Sequence, residues 1–293
     1  MTLIDESFDQ LAAQVNNWGR WGAEDELGTV NFITPQMRAQ AAQSVRTGDV
    51  VSLARILELG TSEHTLQSVH IVWRVFEPVL AASEYLGLAF HGPAVTHLDS
   101  LNHIHSGEQM YNRFPVSDLK PKGGGKYLTA EVFATRLCGR GVLLDVARTR
   151  GVPALRPDEA VTIADLEAAE EAQGVRVVSG DLLFVRMGAE HWGFEAGTPG
   201  LAAEAAGWLH ERQVAVLGSD AATDVMPGPP GGTALPLHQL AIVHMGLPLI
   251  DNCALEDLGR YCAEHSRYDF FACMAPLRLT GSTGSPLNPL AVF

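Results

Sequence analysis

Residues 141–188, GVLLDVARTRGVPALRPDEAVTIADLEAAEEAQGVRVVSGDLLFVRMG, read as strand, helix and strand, and that alternation decides the fold class. GVLLDVA is short and apolar, as a strand buried on both faces should be. Thr162 and Asp165 form a capping-box pair ahead of IADLEAAEEAQ, and Gly174 supplies the stop. GDLLFVRMG then returns as a second buried strand. The same rhythm extends in both directions. Upstream, Thr34 caps and Pro35 opens a helix ending near Gly48, followed by strand candidates VVSLARIL, SVHIVWRVFEP and LGLAFHGPAVTHL. Downstream, Thr198 and Pro199 open a helix through Leu209, and VAVLGSD is a strand. LHQLAIVHMG then reads as a helix, LPLID as a strand, ALEDLGRYCAEH as a helix and FFACMAPLRL as the last strand. The expectation is an α/β protein with a mixed sheet and flanking helices. No linker, repeat or low-complexity tract interrupts residues 1–293, so they read as a single domain, with 1–48 a helical N-terminal extension.

Of the 293 residues, 46% are hydrophobic and 18% charged, enough to bury a large core. The net charge of −14, with no Lys/Arg run, argues against nucleic acid or an anionic membrane as partner and leaves a small molecule. The acidic start MTLIDESFDQ and the lack of an eighteen-residue apolar run point to a cytoplasmic protein. Cys138, Cys253, Cys262 and Cys273 show no CxxC spacing and read as buried free thiols.

Chemistry concentrates between Phe90 and Gly107, FHGPAVTHLDSLNHIHSG, which holds four of the eleven histidines (His91, His97, His103 and His105) together with Asp99. Imidazole and carboxylate are ligands that divalent zinc and manganese accept, and a stable site needs several of them together. On a strand, His97 and Asp99 point to the same face. His103 returns beside them if the chain turns after Asp99, and reads as an acid/base. Elsewhere, KGGGK at 122–126 reads as a flexible lid or turn, MPGPPGG at 226–232 as a loop edging the pocket, and GSTGSP at 281–286 as a glycine-rich loop.

THLDSLNH matches the second half of a H-x-G-T-H-x-D-x-x-x-H run, and through it the chain resembles the putative cyclase family, which includes bacterial kynurenine formamidases and isatin hydrolases. GVLLDVA, GDLLFVRMG, VAVLGSDAATDV, LPLHQLAIVHMGLPLIDN and PLRLTGSTGSPLNPLAVF look like their counterparts in family order, and NWGRWGAEDELGTVNFITP is similar to the opening of a long-N-terminus subgroup. The resemblance implies a swivelling β/β/α-like fold, a zinc or manganese ion, and hydrolysis of a small amide, lactam or lactone. It implies metal ligation by His97 and Asp99, catalysis by His103, and further ligands at His238 and Asp251, where an aspartate replaces the family's glutamate and has a shorter reach. The family's first signature histidine falls on Pro93, which offers no ligand. His91, two residues away on the expected strand, is the substitute, helped by a bulge at Gly92 and giving one tightly bound ion. Trp21, Phe32 and Tyr111, with Trp18 and Tyr85, are candidates to line the substrate pocket. The resemblance also implies a homodimer or homotetramer, with the Trp-rich N-terminal segment as an interface element. The rival reading is a metal-free cyclase, dehydratase or small-ligand-binding protein.

Overall fold

A computed structural model of the chain describes residues 6–57, 67–192, 197–228 and 233–293. Nine strands form one sheet: β1 (Val50–Ser52), β2 (His97–Asp99), β3 (Cys138–Asp145), β4 (Leu182–Arg186), β5 (Val216–Ser219), β6 (Leu249–Asp251), β7 (Asp269–Cys273), β8 (Gly284–Pro286) and β9 (Leu290–Val292). Their spatial order is β1-β9-β7-β3-β4-β5-β6-β2-β8. β3, β4, β5 and β6 run parallel, and the strands outside them pair antiparallel. Parallel strands need crossovers, and helices supply them at Ile163–Gln173, Ala205–Glu211 and Pro236–Met245. Leu143, Phe184, Leu217 and Ile250, one from each central strand, are all buried, as a sheet covered on both faces requires. The result is a single α/β domain with a mixed sheet and flanking helices.

Local signals place several boundaries correctly. The Thr162 hydroxyl accepts from the Asp165 N–H, the Asp165 carboxylate accepts from the Thr162 N–H, and Gly174 ends the helix at a φ of 62°. Thr34 caps the helix Pro35–Gln43, which stops short of Gly48.

Other boundaries are set by tertiary pairing. Thr198 does not open a helix. Its N–H donates to the Met226 carbonyl and Leu201 N–H to that of Thr223, so the segment is pinned extended and the helix begins at Ala205. LGLAFHGPAVTHL is not one strand. The strand Val79–Leu88 belongs to a hairpin with Gln67–Phe76, and a chain of bends and turns separates it from β2. Gly92 N–H turns back to the Phe90 carbonyl and Pro93 has no N–H to give a ladder. The β7 strand is not the last. GSTGSP, read as a loop, supplies β8, and Pro286 is tolerated there because β8 is an edge. KGGGK is a turn and not a lid, since Gly124–Gly125 pairs back on Leu119–Lys120 and a Cβ on Gly124 would lie 2.3 Å from the Gly281 carbonyl oxygen. Residues 229–232 of MPGPPGG lie outside the described residues. Among the described residues, no helix is long and apolar enough to cross a membrane.

Candidate metal centre

β2 lies between β6 and β8, its three residues fully in register with both: His97 opposite Asp251 and Pro286, Asp99 opposite Leu249 and Gly284. Strand alternation puts His97 and Asp99 on one face, as their spacing requires, and both are buried. His97 Nδ1 lies 2.8 Å from the Val95 carbonyl and donates to it, which leaves Nε2 free and 3.5 Å from Asp99 Oδ1.

His91 reaches the same carboxylate from the turn after the hairpin, not from a strand: its Nδ1 is 2.8 Å from Asp99 Oδ1. His91 therefore sits in a turn and not on a bulged strand, and its ring lies beside Asp99. The turn is clamped. Arg55 donates 2.7 Å hydrogen bonds to the carbonyls of Pro93 and Asp220, and the Asn252 amide donates to that of Gly92. His91 Nε2 faces Thr283 Oγ1 at 3.1 Å, and Gly284 makes room, because a Cβ there would lie 2.7 Å from His91 Cε1. His103 comes back after a turn in which its N–H donates to the Ser100 carbonyl. Its ring stacks on His91 with centroids 3.9 Å apart, and its Nε2 is 3.7 Å from Asp99 Oδ1. His105, by contrast, is exposed, with Nδ1 facing the Gly107 carbonyl.

His238 ends the helical turn Pro236–His238 and leads into a π-helix, Gln239–Met245, a geometry frequent at functional sites. Its Nε2 is 3.3 Å from Asp251 Oδ2 and 3.6 Å from Asp99 Oδ2. Asp251 is therefore long enough to reach, because β6 sets it directly across from His97. It is a strand residue whose Oδ1 accepts from the Thr223 hydroxyl at 2.7 Å. Asp224 was not foreseen as a site residue. Its carboxylate accepts from the N–H groups of Leu237 and His238 and from His238 Nδ1 at 2.6 Å, so it fixes the tautomer and presents Nε2 inward. The readable signal was the second aspartate of SDAATD, upstream of the histidine. The first, Asp220, instead accepts from the N–H groups of Met187, Gly188 and Ala189 and holds a loop.

Charge balance tests whether this donor set fits a cation. Burial opposes ionisation of Asp99, yet the facing imidazoles of His238 and His91, with those of His97 and His103 nearby, hold its pKa well below the usual carboxylate range. Burial likewise opposes charge on His238, but Asp251, Asp224 and Asp99 together raise its pKa well above an ordinary histidine's. Three buried carboxylates thus pull on one imidazole, which is the behaviour of a pocket short of positive charge. Asp99 Oδ1 is buried and accepts no well-directed hydrogen bond, despite three imidazole nitrogens within 3.7 Å. Atoms that converge without bonding to each other are arranged for a shared ligand. Two ligand groups satisfy that description among the described residues: His91, His97 and Asp99, and Asp99, His238 and Asp251. Asp99 belongs to both, one oxygen facing each. The residues present therefore fit a divalent metal. His103 stands outside both groups, and burial, reinforced by the neighbouring imidazoles against the pull of Asp99, lowers its pKa to about 4.

The aromatic candidates have other attachments. Tyr111 is fully buried, its hydroxyl donates to Asp25, and its ring sits against Gly246, so it packs the core and lines no open pocket. Trp21 packs edge-on against Phe32, with Arg20 over both rings. The Trp18 indole N–H donates to the Val243 carbonyl and the ring stacks on His244, so the Trp-rich segment is docked on its own chain. Tyr85 lies on the exposed hairpin. A cavity of about 700 Å³ opens beside Arg55, Glu190, Trp192, Asp220 and Asn252. None of its lining belongs to the His/Asp cluster, which meets solvent instead through His91 and His103, each about a quarter exposed.

Comparison with known proteins gives the geometry a context. The model of a family described as "Putative cyclase" matches residues 63–224. A solved structure described as a novel cyclase is 31% identical, with a TM-score of 0.85, covering 95% of this chain and 100% of that one. Isatin hydrolase A from Ralstonia solanacearum is 22% identical with a TM-score of 0.58, covering 88% of this chain and 95% of its own. A predicted metal-dependent hydrolase from Bacillus stearothermophilus is 17% identical with a TM-score of 0.52, covering 84% and 98%. At those lower identities the likeness is one of fold. No curated protein matches in sequence.

Proposed function

The chain belongs to the putative cyclase family, and from that premise we propose that it is a metal-dependent hydrolase of a small amide, lactam or lactone. The observation that carries the reading is the convergence of His91, His97, His238 and Asp251 on the buried carboxylate of Asp99. These five residues would hold zinc or manganese, which accept this N/O set. Bound there, the metal would act as a Lewis acid on the substrate carbonyl and lower the pKa of water. His91 and His97 offer nitrogens from one side of Asp99, and His238 and Asp251 offer nitrogen and oxygen from the other, so these residues would hold two ions rather than the single ion expected from sequence. Asp224 and the Val95 carbonyl keep the imidazoles of His238 and His97 in the tautomers that face inward. His103, neutral near pH 7 by virtue of its burial, can take a proton from attacking water at Nε2 and return it to the leaving nitrogen or oxygen. The products are a carboxylate and an amine or alcohol, joined in one molecule when the substrate is cyclic. The same concentration of buried carboxylates weighs against the metal-free cyclase or binding protein, because without a metal three of them share one imidazole as their compensation.

Purified protein, stripped with a chelator and reloaded with zinc or manganese, is assayed against an N-formyl arylamine, an isatin-type lactam and an aryl lactone. Metal-restored hydrolysis of one of them, with metal content approaching two ions per chain, supports the reading. Full folding with no metal uptake, or hydrolysis indifferent to the chelator, overturns it.

Self-association belongs to the same proposal. The hairpin exposes Ile71, Trp73, Val75, Phe76, Val79, Leu80 and Leu86, each by more than half, and its strands pair only with each other among the described residues. Ile71, Trp73, Val75, Leu80 and Leu86 share one face of the ribbon, with Phe76 and Val79 on the other, and that apolar face would form the core of a standard interface of ~800 Å² per partner. A second copy of the chain, carrying the same ribbon, is the occupant we propose. Trp73→Glu should convert a dimer or tetramer to monomer in analytical ultracentrifugation, and a monomeric parent protein would end the idea.

A further inference from the structure

We infer that Cys138 and Cys273 form a redox-convertible cross-strand pair, closed to a disulfide by low-molecular-weight disulfides such as oxidised glutathione. The two residues lie directly opposite each other in the antiparallel pairing of β3 with β7. The ladder fixes what kind of opposition this is. Leu143 N–H donates to the Tyr268 carbonyl and Met274 N–H to that of Leu137, so counting inward from either end makes Cys138 and Cys273 a non-hydrogen-bonded pair. Such pairs bring the Cα atoms to ~4.5 Å, within the range a disulfide spans, and turn the side chains toward each other. Their Sγ atoms are 2.7 Å apart, and both residues are half-buried, within reach of a small oxidant. Cys253 and Cys262 are fully buried, one after β6 and the other in the helix Glu256–His265, and have no such partner among the described residues.

The chemistry balances without a cofactor. One thiolate sulfur attacks oxidised glutathione, breaking its S–S bond and releasing one glutathione thiolate. The second protein thiolate then attacks the protein sulfur of the mixed disulfide and releases the other. A protein S–S bond forms, the two thiol protons pass to the two leaving thiolates, and two electrons move from protein to oxidant. Burial holds the Cys138 thiol up to about 12, so closure should be slow at neutral pH and faster in mild alkali. The bond would tie β7 to β3, on the far side of β4 and β5 from the strands that carry the His/Asp centre. Oxidation should therefore change stability and leave metal binding alone.

The test uses the full chain incubated with oxidised glutathione at pH 8.5, followed by thiol counting, peptide mapping under non-reducing conditions and thermal unfolding. The expected result is loss of two of four thiols, a Cys138–Cys273 peptide, unchanged metal content, and a Tm raised by roughly 5–10 °C through the long closed loop. Cys138→Ser should instead retain one glutathione on Cys273 and show no rise. If that variant does not fold, mapping of the parent protein decides by itself. Four remaining thiols after prolonged oxidation, or a bridge involving Cys253, Cys262 or a second chain, would overturn the assignment.

Discussion

Replacing Asp224 with asparagine probes the proposed centre without touching a ligand. Asp224 Oδ2 accepts two donors, His238 N–H at 3.0 Å and His238 Nδ1–H at 2.6 Å, while Oδ1 accepts Leu237 N–H at 2.8 Å. An asparagine has one acceptor oxygen. If it faces His238, its amide N–H₂ confronts the Leu237 N–H, and if it faces Leu237 the imidazole loses its anchor. Either way at least one hydrogen bond between a carboxylate and a buried donor is lost, each worth roughly 1.5–3 kcal/mol. Outer partners of metal-binding histidines typically contribute 10–100-fold in affinity, which converts to ~1.4–2.8 kcal/mol, so the two routes agree. Asp224→Asn should therefore weaken a zinc or manganese ion held by His238 and Asp251 ~10–100-fold in competition against a chromophoric chelator. The ion on His91 and His97 should be affected much less, because those histidines are anchored elsewhere. A folded variant whose affinities all lie within threefold of the parent would refute the idea that Asp224 orients His238 for a metal.

Other perturbations separate the remaining roles. His103→Ala should keep its metal and lose ~10²–10⁴-fold in kcat, the contribution of a positioned acid/base, and loss of metal instead would make His103 a ligand. Asp99→Ala should abolish metal uptake at both groups, read by elemental analysis, and retention at parental stoichiometry would contradict its shared position. Gly284→Ala should displace β8 or His91, because the new Cβ would lie 2.2 Å from the Leu98 carbonyl oxygen and 2.7 Å from His91 Cε1, and should cost ~1–3 kcal/mol in denaturant titration. Asp165 is opposed by burial but held at about 2 by hydrogen bonds from Arg150 and Thr162, so its folded pKa is depressed. Its contribution is present above pH ~4 and lost as the pH falls toward about 2. Asp165→Asn should cost ~0.5–2 kcal/mol of cap stabilisation near pH 7, the exposed Arg150 pair adding little, and the two proteins should converge in acid.

What the sequence determined by itself is what short-range physics encodes. Thr162, Asp165 and Gly174 bound a helix through contacts within three or four residues, and short apolar runs such as VLL and LLFV bounded by glycines fit buried strands. The period of two along β2 puts His97 and Asp99 on one face independently of any tertiary contact. The family resemblance extended this to His238 and Asp251, which local pattern alone does not connect. Tertiary structure decided the rest. Asp251 faces His97 because β6 pairs with β2 in one particular register, and register is a property of two strands. His91 reaches Asp99 because Arg55 and Asn252 clamp a turn from far along the chain, and because Gly284, 193 residues later, leaves the space its ring needs. Thr198 carries a helix-start signal that pairing with Met226 overrides, and Tyr111 looks like a pocket aromatic until Gly246 and Asp25 enclose it. Asp224 was overlooked for the same reason: its role exists only once the chain folds back to set His238 against it.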